Sequence, residues 1–154
     1  MAGSCARTEI LVGKLGLSQL AESHVLIAGL GDVGGACAES LCRAGIGELT
    51  LVDFDTMAKT DLNWQLIALH STLGQSKVEA LSKRLRDINP DTVINEENIF
   101  IDRQKAEEIA KDDDLTFIAD CIDAIAYKTV LIDACNRSGM PIKSSMGAGG
   151  RLDP

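Results

Sequence analysis

Short apolar runs alternate with segments of helical periodicity along most of the chain. The strands predicted from the apolar runs are Val25–Ala28, Glu48–Asp53, Thr92–Asn95, Leu115–Ala119 and Pro141–Ser145. The helices predicted between and after them are Val33–Ala44, Ser76–Ile88, Arg103–Lys111 and Ala126–Arg137. Strands that alternate with helices build a parallel sheet. The pattern therefore predicts an α/β fold with a doubly wound, mostly parallel sheet and helices on both faces.

Three parts of the chain fall outside this alternation. Residues 1–6 carry no pattern and are predicted to be a disordered start. Glu9–Leu20 is apolar at roughly helical spacing, which predicts a short amphipathic arm ahead of the first strand. Residues 55–73 have no clean period, so we predict a loop there, with a short helix around Leu62–Leu69.

A glycine motif joins the first predicted strand to the first predicted helix of the sheet. It reads Gly29-Leu30-Gly31-Asp32-Val33-Gly34, and Asp53 follows 24 residues after Gly29, at the end of the second strand. In a Rossmann-like nucleotide-binding unit the three glycines allow a sharp turn, close approach of a phosphate and close helix packing, and the acid binds a ribose hydroxyl. The helix N-terminus adds free N–H groups and partial positive charge. The motif predicts a bound nucleotide, although Asp32 puts a negative charge inside the phosphate loop.

Acidic residues gather at the same edge of the predicted sheet. Gly31, Asp53, Asp55, Asp120 and Asp123 all come at or just after the carboxyl ends of strands. Ligands of doubly wound sheets bind beyond these ends. Because a divalent cation offsets the repulsion between carboxylates and phosphates, we expect a magnesium–nucleotide site there.

Composition limits the class of protein. The chain has 154 residues, 45% of them hydrophobic and only 3% aromatic, with a net charge of −8. This acidity excludes a global basic surface for nucleic acid but not a local one. We divide the chain into an N-terminal arm over 1–22 and one domain over 23–154.

Cysteine usage and hydropathy indicate a compartment. The chain contains an odd number of cysteines without a CxxC pair, which argues against a disulfide framework or zinc site within it: Cys5, Cys37, Cys42, Cys121 and Cys135. The last four lie in apolar patterns and are predicted to be buried. With no signal peptide or long apolar span visible, we expect a cytoplasmic protein without membrane contact.

Several motifs occur together in one order. They are GLGDVGG, AGIGELTLVDFDT, NWQ, LGQSKVEALSKRLRDINPD, FIADCIDA and GMPIKSSMGAGGRLDP. In this order they resemble the adenylating domain of the ThiF/MoeB/HesA superfamily, relatives of ubiquitin-activating enzymes, over about residues 7–154. Within that superfamily the chain is similar to the tRNA threonylcarbamoyladenosine dehydratase branch.

The resemblance implies that ATP and Mg²⁺ bind and that a carboxylate attacks the α-phosphate to give an acyl-adenylate. The carboxylate would belong to a threonylcarbamoyl group on tRNA. The resemblance assigns catalytic roles to Arg7, Lys77 and Asp123, with Asp123 as the magnesium ligand and Arg7 reaching into the partner's site of a homodimer. The nucleotide-binding residues it implies are Gly29, Gly31, Asp32, Gly34, Asp53, Asp55, Asn63, Gln65 and Lys77.

The chain also departs from the family pattern. Asp32 replaces a small residue of the glycine loop, and Asp61 and Trp64 replace the asparagine and arginine of an N-x-x-R-Q motif. Members of the family usually continue past GAGGxxDP, so we expect this chain to lack the C-terminal part of the family domain. These departures leave two alternatives open: an activator of a ubiquitin-like sulfur-carrier protein, and a degenerate, non-catalytic dimerisation or binding domain. A nicotinamide-dependent dehydrogenase would account for the glycine motif alone.

Overall fold

A parallel sheet of five strands forms the centre of the computed structural model, which describes residues 5–146. The strands are β1 (His24–Ala28), β2 (Glu48–Val52), β3 (Val93–Glu97), β4 (Phe117–Asp120) and β5 (Ile142–Ser144). Their order is β3-β2-β1-β4-β5, and every neighbouring pair is parallel. The predicted α/β class is confirmed. The glycine-rich part of the GMPIKSSMGAGGRLDP motif, residues 147–150, lies outside the described residues.

Helices cover both faces of the sheet. They are α1 (Ala6–Ala21), α2 (Asp32–Ala44), α3 (Lys77–Ile88), α4 (Arg103–Ile109) and α5 (Ile125–Ser138). On one face, α2 and α3 pack on one set of alternate strand residues, such as Ile27 and Leu51. On the other face, α4 and α5 pack on the alternate set, such as Leu26 and Ile118. Both sets are buried, which explains why the strands read as continuous apolar runs.

The N-terminal prediction needs two corrections. A disordered start through residue 6 is wrong for its last two residues, because Cys5 is buried and α1 begins at Ala6. The arm is also not one regular helix, since Gly13 has φ +72° and breaks α1 in two. Its apolar side chains Ile10 and Leu11 are more than four-fifths exposed, so they are not part of the core that residues 5–146 form.

The short helix predicted over Leu62–Leu69 is wrong. The segment forms a 3₁₀ turn at Lys59–Asp61, followed by single turns. The Asp61 carboxylate accepts a hydrogen bond from the backbone N–H of Ala58 at 2.9 Å, and the Asp61 carbonyl accepts from that of Gln65 at 2.9 Å. Because an Asp side chain satisfies backbone donors locally, it favours such turns over a continuous helix.

No helix among the described residues is both long enough and apolar enough to cross a membrane. The division of the chain at residue 22 stays a prediction.

Candidate functional site

A cavity of about 450 Å³ opens at the carboxyl ends of β1, β2 and β4. In a sheet of this strand order, ligands bind at this edge, beside the switch in strand order at β1. A second cavity of about 480 Å³ lies on the α4 face, where His24, Thr50 and Asn95 hydrogen-bond to one another through Thr50. We take the first cavity as the candidate site because the glycine motif and most of the predicted residues line it.

The glycine loop has the geometry that the spacing predicts. Gly29 has φ +85°, and a Cβ placed on it would lie 2.9 Å from the carbonyl oxygen of Cys121. A Cβ on Gly34 would lie 1.8 Å from the carbonyl oxygen of Gly29, so α2 approaches the loop at a distance that excludes any side chain. A Cβ on Gly31 would meet only the Gln65 Nε2 atom, at 3.9 Å. Gly31 thus leaves its backbone open toward the cavity.

Asp53 fixes the loop that it faces. One carboxylate oxygen accepts the backbone N–H of Leu30 at 2.7 Å, and the other accepts that of Asp55 at 2.8 Å. The residue is buried yet lines the cavity. Since a carboxylate has about four lone-pair positions, Asp53 keeps capacity for ligand hydroxyls after both bonds are made.

Lys77 brings a cation into the cavity. It is the first residue of α3, and its backbone N–H donates to the carbonyl of Asp55 at 3.0 Å. The ammonium lies 3.4 Å from the Asp55 carboxylate, and the Lys77 side chain is 9% exposed. The long separation and the partly exposed Asp55 partner leave the ammonium able to bind another anion at the same place.

The turn after β2 supplies another part of the cavity wall. Asp61 and Gln65 are both buried and line the cavity. The Gln65 Oε1 atom is buried and has no hydrogen-bond partner in the protein. Because a buried acceptor without a partner costs free energy, this amide is suited to a donor that the protein itself does not provide.

Aromatic side chains are concentrated around this cavity. The chain has three phenylalanines, one tyrosine and one tryptophan, and all except Phe117 line it. The Phe54 and Phe100 rings pack edge to face with centroids 4.9 Å apart, and Phe100 and Tyr127 do so at 4.5 Å. These three rings, together with neighbouring isoleucines, form an apolar wall beyond Asp53. Sequence reasoning missed this wall, although the scarcity of aromatic residues was a usable signal.

Asp123 lies in the loop between β4 and α5, is exposed and lines the cavity. Across residues 5–146, no three His, Cys, Asp or Glu side chains are grouped so that they could hold a metal ion by themselves. Mg²⁺ commonly binds through one or two carboxylates plus the phosphates of a nucleotide. The donors present, Asp123 and Asp55, fit a metal–nucleotide complex rather than a free ion.

Asp120, expected among the acids of the site, is instead part of a buried ion pair. The Lys128 ammonium and the Ser144 hydroxyl both donate to one of its carboxylate oxygens, the first at 2.7 Å. The other oxygen accepts the backbone N–H of Ile122 at 3.0 Å, which anchors the loop that carries Asp123. Lys128 was missed, although it shares the buried face of α5 with Leu131, three residues later.

Two cysteines meet beside the glycine loop. Cys37 of α2 and Cys121 of the β4–α5 loop are half-buried, in contrast to the burial predicted for them, while Cys42 and Cys135 are buried as predicted. A hydrogen bond from the Cys121 thiol lowers the pKa of Cys37 from 9.0 to about 7. The same contact and burial raise the pKa of Cys121.

Not every predicted site residue reaches the cavity. Those that line it are Gly29, Gly31, Asp53, Asp55, Gln65, Lys77 and Asp123. Arg7 and Asn63 are exposed elsewhere, and Gly34 is buried against Gly29. Asp32 is exposed in the first turn of α2, outside the cavity lining. Its charge therefore opposes a bound phosphate less than its place in the motif implied.

The chain is similar to known proteins over most of its length. The model of the ThiF family matches residues 6–151. The tRNA threonylcarbamoyladenosine dehydratase of Bacillus subtilis is 40% identical over 149 residues, which are 97% of this chain and 58% of that protein. The molybdopterin-synthase adenylyltransferase of Escherichia coli is 36% identical over 138 residues, 90% of this chain and 54% of that protein.

A solved structure shares the fold closely. The crystal structure of the E. coli tRNA N6-threonylcarbamoyladenosine dehydratase in complex with ATP matches with a TM-score of 0.93 at 33% identity, over 98% of this chain and 62% of that one. The chain thus spans somewhat more than half the length of these relatives.

Proposed function

Since the chain belongs to the ThiF family, we propose that its cavity binds ATP and activates a carboxylate as an acyl-adenylate. One observation carries the proposal. Gly31, Asp53, Lys77 and Asp123 come from four separate segments, and all of them line one cavity at the carboxyl edge of the sheet.

Each of these residues would contact a different part of the nucleotide. The open backbone at Gly31 and the N-terminus of α2 would face the phosphates. The Lys77 ammonium would exchange its long contact with Asp55 for a phosphate oxygen. The remaining lone pairs of Asp53 would accept a ribose hydroxyl, and the apolar wall with Phe100 would receive the base.

A magnesium ion fits the proposal through Asp123. Its exposed carboxylate faces a cavity with no protein metal cluster of its own among the described residues, so the phosphates would complete the coordination. A bound ion would neutralise charge on the triphosphate. Asp55 is close enough to Lys77 to keep the ammonium in place beforehand.

The reaction follows from this placement. A carboxylate oxygen of the substrate attacks the α-phosphorus, the bond from that phosphorus to the bridging oxygen breaks, and pyrophosphate leaves with the bonding electrons. Lys77 would stabilise the charge that develops on the phosphate oxygens. Arg7, exposed and away from its own cavity, would act in the site of a second copy, which makes the active form a homodimer.

For the substrate, we favour a threonylcarbamoyl group on tRNA, whose activated acyl carbon is attacked within the same group and cyclises with release of AMP. The support is the 40% identity to a tRNA threonylcarbamoyladenosine dehydratase. The same proposal puts the protein in the cytoplasm, where tRNA is modified. The second candidate is an activator of a ubiquitin-like carrier protein, and the 36% identity to a molybdopterin-synthase adenylyltransferase favours it.

Asp61 and Trp64 support the third possibility, a binding domain without catalysis. Both line the cavity, to which they add a negative charge and an uncharged ring. ATP binding distinguishes this possibility from the two enzymes, because both enzymes require it and a non-catalytic domain does not.

Isothermal titration with ATP, with and without Mg²⁺, tests the proposal. We expect binding that requires Mg²⁺, lost in Lys77→Met and Asp123→Asn. The matched controls are Lys83→Met on the exposed part of α3 and Asp113→Asn in an exposed turn, which should bind as the wild type does. Absence of heat at millimolar ATP contradicts the proposal.

Pyrophosphate exchange then identifies the carboxylate. Exchange that depends on RNA carrying threonylcarbamoyladenosine favours the dehydratase. Exchange that depends on a carrier protein ending in Gly-Gly favours the second candidate.

A further inference from the structure

Trp64 lines the cavity with more than half of its side chain exposed. We propose that its indole is a stacking platform for an unpaired base of the RNA substrate. The inference rests on the proposed function, and specifically on tRNA as the carrier of the carboxylate.

The indole is held in place with its ring accessible. Its Nε1–H donates to the carbonyl of Thr60 at 3.1 Å, which ties it to the 3₁₀ turn. The backbone N–H of Trp64 donates to the carbonyl of Asp61 at 3.2 Å in the same turn. With its one polar atom satisfied, the side chain is still 54% exposed and lines the cavity. Restraint of this kind lowers the entropy lost when a flat ligand stacks on a ring.

The residue that follows Trp64 in the chain approaches the glycine loop. The next residue, Gln65, points its Nε2 atom to within 3.9 Å of the place where a Cβ on Gly31 would lie. Of the other three aromatic rings of the cavity, Phe100 contacts both Phe54 and Tyr127, and no ring contact of Trp64 with them is found among the described residues. A nucleotide with phosphates at Gly31 and ribose at Asp53 has its base toward those three rings. Trp64 is therefore free for a base that does not belong to ATP.

The α-phosphate end is where the carboxylate substrate must arrive. If that carboxylate is attached to a nucleoside, a base comes with it, and unpaired bases in RNA are recognised mainly by stacking on aromatic side chains. Lys59 begins the 3₁₀ turn to which the indole is bonded and is exposed, so this turn carries a positive charge for an RNA phosphate. The peptide tail of a carrier protein has no base to stack, so Trp64 also discriminates between the two candidate substrates.

The chain contains a single tryptophan, so fluorescence excited selectively in tryptophan reports on this position alone. The probe is a fluorescein-labelled anticodon stem-loop RNA carrying N6-threonylcarbamoyladenosine, titrated without nucleotide and followed by anisotropy; the unlabelled RNA is used for tryptophan quenching. Variants of the full chain are Trp64→Ala, Trp64→Phe and Leu66→Ala. Leu66 is 47% exposed two residues away and does not line the cavity, so it controls for loss of exposed apolar surface.

We expect RNA to quench the tryptophan and Trp64→Ala to weaken RNA binding by about 5- to 150-fold, the range of one base–aromatic stack. Trp64→Phe should keep most of the affinity, and Leu66→Ala should match the wild type. The proposal is overturned if Trp64→Ala, with an unchanged melting curve, binds RNA as the wild type does, if Leu66→Ala is equally weakened, or if RNA leaves the tryptophan unquenched.

ATP titration of the same variants keeps the two proposals separate. A loss of RNA affinity in Trp64→Ala that exceeds any change in its ATP affinity supports the stacking role. If the wild-type chain binds ATP but Trp64→Ala leaves its RNA affinity unchanged, the stacking role is refuted. The proposal of adenylation is then unaffected.

Discussion

Three glycines within five residues of the phosphate loop should respond differently to the same added methyl group. Gly31, Gly34 and Gly35 follow one another across the start of α2, yet a Cβ would meet open cavity at the first, backbone at the second and ordinary contacts at the third. Substitution of each by alanine therefore separates a binding role from a packing role.

Gly34→Ala has the largest expected effect on stability. The new Cβ would lie 1.8 Å from the carbonyl oxygen of Gly29, so helix and loop must separate by about 1 Å or more in a region packed at crystal-like density. Overpacking of this kind costs about 3 kcal/mol, at the upper end of its usual range. For a domain of this size that lowers the melting temperature by about 6–12 °C.

Gly31→Ala should instead reduce nucleotide affinity. Its Cβ has a single neighbour at 3.9 Å, so the stability cost is that of a poorer helix N-cap, about 1 kcal/mol. The methyl group occupies the space that a phosphate would approach, and we expect ATP affinity to fall about tenfold or more, equivalent to 1.4 kcal/mol.

Gly35→Ala is the matched control. Its Cβ would lie 3.9 Å from Ile67 and from the Leu30 carbonyl, and alanine is favoured over glycine within a helix by about 1 kcal/mol. The melting temperature should rise by about 2–4 °C, with ATP affinity unchanged. Circular dichroism melts and calorimetric ATP titrations measure both quantities. The reasoning fails if Gly34→Ala melts with the wild type, or if Gly31→Ala binds ATP as well as Gly35→Ala.

The remaining predictions concern charged and thiol groups. Lys128→Met leaves the Asp120 carboxylate buried without its cation and should lower the free energy of unfolding by about 3–5 kcal/mol in urea denaturation. Adding Asp120→Asn should restore part of this loss. A Lys128→Met variant as stable as the wild type would contradict the pairing. Alkylation of Cys37 by iodoacetamide should have its midpoint near pH 7, because its thiolate predominates above its lowered pKa, and Cys121→Ala should move that midpoint toward 9.0. Asp61→Asn should strengthen ATP binding several-fold, because a negative charge is removed from the cavity wall. The melting temperature should not change, because the amide oxygen can still accept the hydrogen bond from the backbone N–H of Ala58. Equal ATP affinity of variant and wild type in calorimetry would refute this.

Local pattern was sufficient for the regular elements. Leu81 and Leu85 of α3 are buried as helical spacing predicts, and Gly45 and Gly139 end their helices in the left-handed conformation. These features depend on neighbours within one or two turns, so they can be read from the chain itself. The turn at Asp61 was mispredicted because a single side-chain cap outweighed a weak periodic signal.

The sequence by itself determined the α/β class, the glycine loop and which strands are followed by acidic residues. Periodicity and motifs are local properties, so they can be recognised without the fold. Only the tertiary structure decided which of the candidate residues share a cavity. Asp120 at the end of β4 pairs with Lys128 of α5, and Phe100, which follows β3, contacts both Phe54 after β2 and Tyr127 of α5. These contacts join different strands, helices and connections, so they are set by how the sheet and helices pack rather than by any local preference.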